Sequence, residues 1–586
     1  MTGKRTIASL WDTAVAEGRA TPAYLVEEPD GTWREVSWPE AAQAVDEIAH
    51  GLLALGVRKG DAFGVLAHTR LEWSLFDFAL AHIGAVAAPI YPSSSPSESR
   101  HILEDSAAIG VLVEGDEELP LVEEARDLPA LEHVLRFADL DELRARGREH
   151  ATKHPDAVEQ AAAQITDDDL FSFIYTSGTT GPPKGCMILN SNYFEMVRSA
   201  LLVQDFFLQT DVLLLYLPLA HNFGRYMHLL GPQVGLTIAF CPDPRRLGEV
   251  MPEVRPTIMP TVPRVLEKVH TGVTSSFAEA TGVKRRLIDW ALRVGRRVSE
   301  LRQAGRPVPA ALAAQHRIAD KLVYSKVKAR LGGRMRAMIS GGAPLAKEIG
   351  EFFHTLDLLI LEGYGQTEGT TASTCNLPDR YRFGTVGPAL PNIEVRVADD
   401  GEILVRGPTV FAGYFRNEEA TREVLREDGW LRTGDVGELD DDGFLSVTDR
   451  KRDIIVTAGG KNLSPQNIEN DLKSSRYVSQ ALVVGDRRPF ISALVTLDPE
   501  EAEKWARAKG LDGDMAELAG REEVRELIQG VVDDVNAGLA RFQQVRAFVV
   551  LPRDFTAEDN EVTPTLKLRR RICEEHFAEE IESLYA

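Results

Sequence analysis

Cysteine is scarce in this chain. Only four occur in 586 residues, Cys186, Cys241, Cys375 and Cys573, and none stands in a Cys-x-x-Cys pair or at metal-ligand spacing from a histidine. That excludes a disulfide framework and a zinc site of recognisable spacing, and it fits a reduced, cytoplasmic compartment. Long apolar runs are missing too: Phe78 to Ala88 and Val212 to Leu217 are too short or too interrupted to reach the ~20 apolar residues of a membrane-spanning helix. Met1 to Asp12 holds no unbroken apolar stretch of signal-peptide length, so export is not expected. An excess of basic residues is absent as well. The 66 lysines and arginines against 89 acidic residues give a net charge of −23, which opposes long-range attraction to nucleic acid or an anionic bilayer while leaving room for a local basic patch. Internal repeats and low-complexity segments do not occur.

What is present is a chain long enough for three or four domain-sized units, with 44% hydrophobic and 26% charged residues. Between residues 40 and 125, helical patterns (Ala41 to Gly56, Trp73 to Ile83) alternate with short apolar runs (Ala62 to Ala67, Ala85 to Ile90), the rhythm of a layered α/β domain. Strand-like runs recur at Phe171 to Tyr175, Val212 to Leu217, Thr237 to Phe240 and Leu358 to Leu361, whereas Ser275 to Leu331 is long, charged and helical in pattern. From about residue 380 the texture changes to short strands around the turn signals Asp399-Asp400-Gly401 and Asp440-Asp441-Asp442-Gly443. A basic, turn-prone stretch, Thr448 to Asp453, precedes a last unit with strands at Ala481 to Val484 and Ser492 to Thr496. The expected fold is therefore α/β: a large N-terminal domain over 1–448, β-rich over about 380–448, and a small α+β domain over 449–586.

Several strings carry chemistry. Tyr175 to Gly185 reads Tyr-Thr-Ser-Gly-Thr-Thr-Gly-Pro-Pro-Lys-Gly directly after an apolar strand. Glycines let backbone N–H groups approach a phosphate chain, hydroxyls donate to its oxygens and a lysine offsets its charge. It is not the Walker loop, because Gly185 and not Ser or Thr follows Lys184. Ser340-Gly341-Gly342-Ala343-Pro344 has a strand-to-helix character with backbone where a flat ring could lie. Glu362-Gly363-Tyr364-Gly365-Gln366-Thr367-Glu368 brings together an aromatic able to stack on a purine, a hydroxyl for a phosphate and a hard oxygen ligand for Mg²⁺. Taken singly, each also suits a solvated loop.

In order along the chain, these strings resemble the signatures of the adenylate-forming ligases, the family of acyl-CoA synthetases, firefly luciferase and nonribosomal adenylation domains. The resemblance implies a small domain that is mobile, with ATP and CoA as co-substrates and Mg²⁺ as the metal. By it, Thr176, Ser177, Gly178, Thr179, Thr180 and Lys184 hold the ATP phosphates; Gly341, Gly342 and Ala343, with Glu362, Gly363, Tyr364, Gly365 and Gln366, form the nucleotide pocket; Thr367 meets a phosphate; and Glu368 holds the metal. Gly429 to Asp435 looks like the ribose motif, with Asp435 accepting both ribose hydroxyls. Asp449 matches the hinge pivot and Arg450 the residue reaching the ribose. Thr563-Pro564-Thr565-Leu566-Lys567 resembles the C-terminal motif whose lysine bridges the substrate carboxylate and the α-phosphate.

Past the hinge, Gly459 and Gly460 leave room for a thin pantetheine arm, which favours transfer to CoA over an oxygenase. Leu217-Pro218-Leu219-Ala220-His221, Arg225, the 255–265 stretch and the helical insert are most similar to long-chain fatty acyl-CoA synthetases, with His221 bordering the acyl or adenylate pocket. Asn222-Phe223-Gly224 and Gln366 depart from the commonest long-chain pattern, so an aryl acid, an unusual oxyanion, or delivery to an amine or carrier protein is the rival reading. Small-molecule acid, ATP and CoA are the expected partners, without nucleic acid. Peripheral membrane contact through a lipid substrate and a homodimer are compatible with the sequence.

Overall fold

The computed structural model describes residues 4–176, 183–203, 206–456, 462–556, 558–559, 561–563 and 568–586. Two largely parallel sheets form the bulk of the chain. One has six strands, in the spatial order His133–Arg136, Gly110–Val113, Ala62–Leu66, Val86–Ile90, Leu170–Thr176 and Lys184–Leu189, only the last running antiparallel to its neighbour. The other has eight, with Leu359–Tyr364, Ala337–Ser340, Ile258–Thr261, Val212–Leu215 and Thr237–Phe240 parallel at its centre. Helices cover the faces, so the strands are buried on both sides and read as continuous apolar runs: all five residues of Ala62–Leu66 and of Val86–Ile90 are buried.

The helices begin and end where the local chemistry dictates. Trp38–Leu55 is capped by Ser37, whose hydroxyl accepts from the Glu40 amide, and stops at Gly56, which takes φ 98°. The eight-stranded sheet closes at its edge on the hairpin of Tyr24–Glu27 and Trp33–Val36, which the sequence reading missed. Tyr24 pairs with Ile238 on the distant Thr237–Phe240 strand.

A four-stranded antiparallel sheet follows (Glu394–Val397, Glu402–Arg406, Leu431–Leu439, Leu445–Arg450), its hairpins turning at Gly401 and Gly443 as the turn signals predict. One expectation needs correcting. Thr448 to Arg450 is not a turn but the end of the Leu445–Arg450 strand, because Val436 and Asp435 on the neighbouring strand pair with Asp449 and Arg450. Beyond it lies a three-stranded sheet, Val478–Val484, Ile491–Leu497 and Val545–Val550, with its own apolar core that begins at Ile455. The charged 275–331 stretch is helical, as Pro263–Ala278, Gly282–Gln303, Ala310–Ala319 and Ser325–Arg330. All four cysteines are buried and free. Among the described residues no helix is long and apolar enough to cross a membrane.

Between the two large sheets sits a fully buried ion pair. Arg225, on the helix Asn222–Leu230, pairs through Nη2 with Asp77 Oδ1, while its Nε lies 3.2 Å from Asp77 Oδ2 and its Nη1 donates to Ser172 Oγ at 2.6 Å. Both charged side chains are 0% exposed. The guanidinium also lies 4.5 Å from the centre of the Phe171 ring and 5.2 Å from that of Trp73. Arg225 thus ties a helix of each layer to the Leu170–Thr176 strand, and it does not line the cleft described next.

Candidate active site

Parallel strands of both sheets end at one cleft of about 1740 Å³. That exceeds the ~300–1,000 Å³ usual for one small ligand and leaves room for two joined ones. Open α/β sheets bind ligands at the carboxyl ends of their strands, and Thr176, Ser340 and Tyr364 stand there because the apolar strands before them fix their ends.

Thr176 pairs in register with Lys184, so the two ends of the Ser/Thr/Gly string are held together by the Leu170–Thr176 and Lys184–Leu189 hairpin. Ser177, Gly178, Thr179 and Thr180 lie outside the described residues. The Lys184 ammonium sits 5.2 Å from the centre of the Tyr414 ring, and the Tyr414 hydroxyl donates to Glu368 Oε1 at 2.6 Å. Burial and the neighbouring Glu368 charge hold that phenol protonated. Sequence reasoning missed Tyr414. Its segment is irregular, and backbone pairing with Gly185 to Met187, through Ala412, Gly413 and Phe415, brings it to the site.

Glu368 lies in a short turn, Thr367–Gly369, pinned from several sides. Phe411 N donates to the Glu368 carbonyl at 2.9 Å, and Asn222 Nδ2 donates to the Thr367 carbonyl at 3.3 Å. Asn222 is itself buried and accepts from the Tyr193 hydroxyl. Thr370 and Thr371 follow at φ 50° and 90°, left-handed values that strain a β-branched residue. A Cβ on Gly365 would come within 1.8 Å of the Thr371 carbonyl oxygen, so this turn requires glycine there. One carboxylate beside a lysine and a phenol, at the mouth of the Ser/Thr/Gly string, has the donor chemistry to hold Mg²⁺ against phosphate oxygens.

On the opposite wall the Tyr364 hydroxyl donates to Asp435 Oδ2 at 2.7 Å, and Arg450 Nε stands 3.6 Å from Asp435 Oδ1. Both acid oxygens therefore face groups that fix the carboxylate as an acceptor. Gln366 Nε2 reaches the Thr433 carbonyl at 3.5 Å. Gly341, Gly342 (φ 86°) and Ala343 line the same cleft after the Ala337–Ser340 strand, and a Cβ on Gly341 would lie 3.3 Å from the Phe223 ring. Gly363 and Glu362 lie on the next strand, Glu362 in register with Ser340.

Burial pushes the Glu362 carboxyl up to about 8, against the opposing contact with the Leu345 backbone. A folded value above the unfolded one, about 4.5, means that folding takes up a proton, so this group's stabilisation is lost as pH rises from about 4.5 to about 8. Glu362→Gln should therefore flatten the pH dependence of the melting temperature in that window and be at least as stable at pH 8. An unchanged pH slope would exclude a neutral Glu362.

His221 caps the Asn222–Leu230 helix, its Nδ1 accepting from the Phe223 amide at 3.1 Å, and it lines the cleft. Of the three residues after it, Asn222 and Phe223 line the cleft. Asn222 also donates to the Thr367 carbonyl, and Gly224 packs so closely that a Cβ would meet the Pro218 carbonyl oxygen at 2.3 Å. Of these departures Gly224 alone is purely a scaffold feature, while Asn222, Phe223 and Gln366 line the cleft. Ala200, Val203, Phe206, Phe207, Tyr226 and Met227 give the same cleft an apolar stretch of wall. No sequence motif marks this wall.

The small domain supplies the remaining side. Val562 pairs with Leu568, and Thr563, Leu568 and Arg569 line the cleft, with Arg569 3.6 Å from Glu98. Lys567 lies outside the described residues, as do Gly459 and Gly460. Asp449 is buried at the junction, accepting from Ser464 Oγ at 2.7 Å and from the Arg450 amide at 2.6 Å. Burial raises its pKa.

A family described as AMP-binding enzyme matches residues 11–415, and the AMP-binding enzyme C-terminal domain matches residues 452–586. The chain belongs to the AMP-binding enzyme family. Among its curated relatives, the long-chain-fatty-acid–CoA ligase FadD15 of Mycobacterium tuberculosis is 39% identical over 97% of this chain and 95% of its own length. Long-chain-fatty-acid–CoA ligase 6 of Mus musculus is 33% identical over 96% and 84%. Two solved structures share the fold. An anthranilate CoA ligase holding anthranoyl-AMP aligns with a TM-score of 0.74 at 21% identity, over 98% of both chains. The adenylation domain of a carboxylate reductase from Mycobacterium chelonae aligns at 0.76 and 23%, over 99% and 91%. The α/β architecture with a small α+β C-terminal domain is the one expected from the sequence.

Proposed function

We propose that this AMP-binding enzyme is a long-chain fatty acid–CoA ligase that activates its acid as the acyl-adenylate. The carrying observation is that the polar residues Lys184, Tyr364, Glu368 and Asp435 and the aromatic and apolar residues Phe206, Phe207, Tyr226 and Met227 line one cleft. Full-length likeness to long-chain-fatty-acid–CoA ligases supports the same reading.

In the first step a carboxylate oxygen of the fatty acid attacks the α-phosphorus of ATP. The bond from that phosphorus to the oxygen bridging the β-phosphate breaks, and pyrophosphate leaves. Asp435, oriented by Tyr364 and Arg450, accepts the ribose hydroxyls; the backbone of Gly341, Gly342 and Ala343 and the Glu362 to Gln366 strand end flank the purine. Thr176, Ser177, Gly178, Thr179, Thr180, Lys184 and Thr367 hold the phosphates, and His221 borders the acyl group. Mg²⁺ held at Glu368 would screen the phosphate charge. Lys567 stabilises charge at the α-phosphate.

In the second step the CoA thiol, giving its proton to solvent, attacks the acyl carbon, and the carbon–oxygen bond to AMP breaks. We assign Asp449 as the pivot between the two arrangements, dividing 1–448 from 449–586, and Gly459 and Gly460 as the passage for pantetheine. No side chain becomes a covalent carrier, so the protein's work is positioning and charge neutralisation. Incubation with ATP, CoA and a pool of short-chain, long-chain and aryl acids, read by mass spectrometry, should give long-chain acyl-CoA and AMP. Products confined to aryl or short acids, or adenylate without thioester, would overturn this reading. A lipid substrate also makes contact with a membrane surface part of the proposed function.

A further inference from the structure

The basic residues of this acidic chain are unevenly placed. Residues 282–336 hold fifteen lysines and arginines against three acids, Asp289, Glu300 and Asp320, leaving 51 against 86 for all the rest. This stretch folds as the helix Gly282–Gln303, then Ala310–Ala319, which runs on through a single wide turn, Asp320–Tyr324, into Ser325–Arg330. The first helix buries Ile288, Ala291, Val294 and Val298. Its opposite side carries Arg286, Arg293, Arg296 and Arg297, all exposed, at spacings of seven, three and four residues from Arg293 that place them on one stripe.

On the helix packed beside it, Ile318 is 52% and Leu322 41% exposed, one turn apart, and Arg317 and Lys321 stand next to them, also exposed and one turn apart. Val283, at the head of the first helix, is 82% exposed. The stretch's own acids are taken up by Arg285, Arg297 and Lys328. That leaves Arg286, Arg293, Arg296, Arg317 and Lys321 without a carboxylate partner among the described residues.

Apolar tips set among unpaired cations are the chemistry that seats on anionic headgroups: the apolar side chains enter the boundary between headgroup and acyl chain, and the cations pair with phosphate. We propose that the face formed by Gly282–Gln303 and Ala310–Ala319 docks this protein on an anionic phospholipid bilayer. Charge decides among the occupants. A second copy joined through this face by a two-fold axis would oppose like charges. Nucleic acid would leave Val283, Ile318 and Leu322 with no apolar partner. The proposal gives a place to the membrane contact in the function proposed above, and in that respect rests on it.

The test is flotation of the full chain with vesicles of phosphatidylcholine alone or mixed with phosphatidylglycerol. Binding is expected only to the mixed vesicles, weakened by added salt. It should fall at least about tenfold in Arg317→Glu/Lys321→Glu, since each cation near such a surface contributes about fivefold. A second pair, Arg293→Glu/Arg296→Glu, should weaken it independently, and Ile318→Ser/Leu322→Ser should weaken it at unchanged charge. AMP formation from dissolved fatty acid without vesicles should match the wild type in every variant. No binding by the wild type, or binding by both charge-reversed pairs as strong as that of the wild type, would overturn the proposal. A doubling of the mass in solution that Arg317→Glu/Lys321→Glu abolishes would overturn it in favour of a second copy. Vesicle binding by a protein that forms no long-chain acyl-CoA would sink the functional reading and leave the docking face standing.

Discussion

Exchanging Lys567 for alanine is expected to lower acid-dependent ATP–pyrophosphate exchange by about 100- to 1,000-fold, while thioester formation from supplied acyl-adenylate and CoA changes little. The magnitude is that of removing one preorganised charge or donor from a developing oxyanion. Negative charge gathers on the α-phosphate as pyrophosphate leaves, and a compact ammonium on a flexible stem can follow it between ground and transition state. Leu568, the next residue, lines the cleft and is anchored by pairing with Val562, so the chain on either side of residues 564–567 is held at the site. The second half-reaction breaks no phosphorus–oxygen bond and has no such charge to meet. Equal loss of both half-reactions would show that Lys567 serves both steps or the fold, and the assignment of two arrangements about Asp449 would fail.

The second large effect concerns stability. Arg225→Ala or Asp77→Ala should each cost about 3–5 kcal/mol, because either change leaves a full charge in a site that water does not reach. Replacing both by apolar residues of similar volume should recover much of that loss, since neither ion then needs its partner. Chemical denaturation of the two single variants and the double variant closes the cycle. Losses that simply add would mean that the two residues act separately. Activity should fall as well, because Arg225 anchors the helix whose first residue, Asn222, holds the Thr367 carbonyl.

The motifs around Thr176, Ser340 and Tyr364 were legible because each is a contiguous stretch at the end of an apolar strand. A strand such as Leu359–Tyr364 announces itself, and the residues that follow it must fall at the sheet's edge. The Asp77–Arg225 pair was not legible: its members are 148 residues apart, and charged residues in helical patterns read as solvated. Tyr414 escaped for a related reason, as its position follows from pairing with a strand more than two hundred residues earlier. Thr448 to Arg450 looked like a turn because its charges outweigh its length, yet a neighbouring strand makes it β. The acyl wall has no local signal at all, since Phe206 and Met227 look like any core residues until the cleft between the sheets is drawn.

The hairpin Tyr24–Glu27 and Trp33–Val36 is synthesised well before its sheet partner Ile238, which emerges 214 residues after Tyr24. At ribosomal speed that interval is roughly 10–40 s. Throughout it the hydrogen-bonding edge of Tyr24–Glu27 faces solvent and whatever other chains are nearby. The nascent chain is therefore open to wrong strand pairing long before the nucleotide cleft exists, and a chaperone that covers Tyr24 to Val36 over that interval would guard the assembly of the whole eight-stranded sheet.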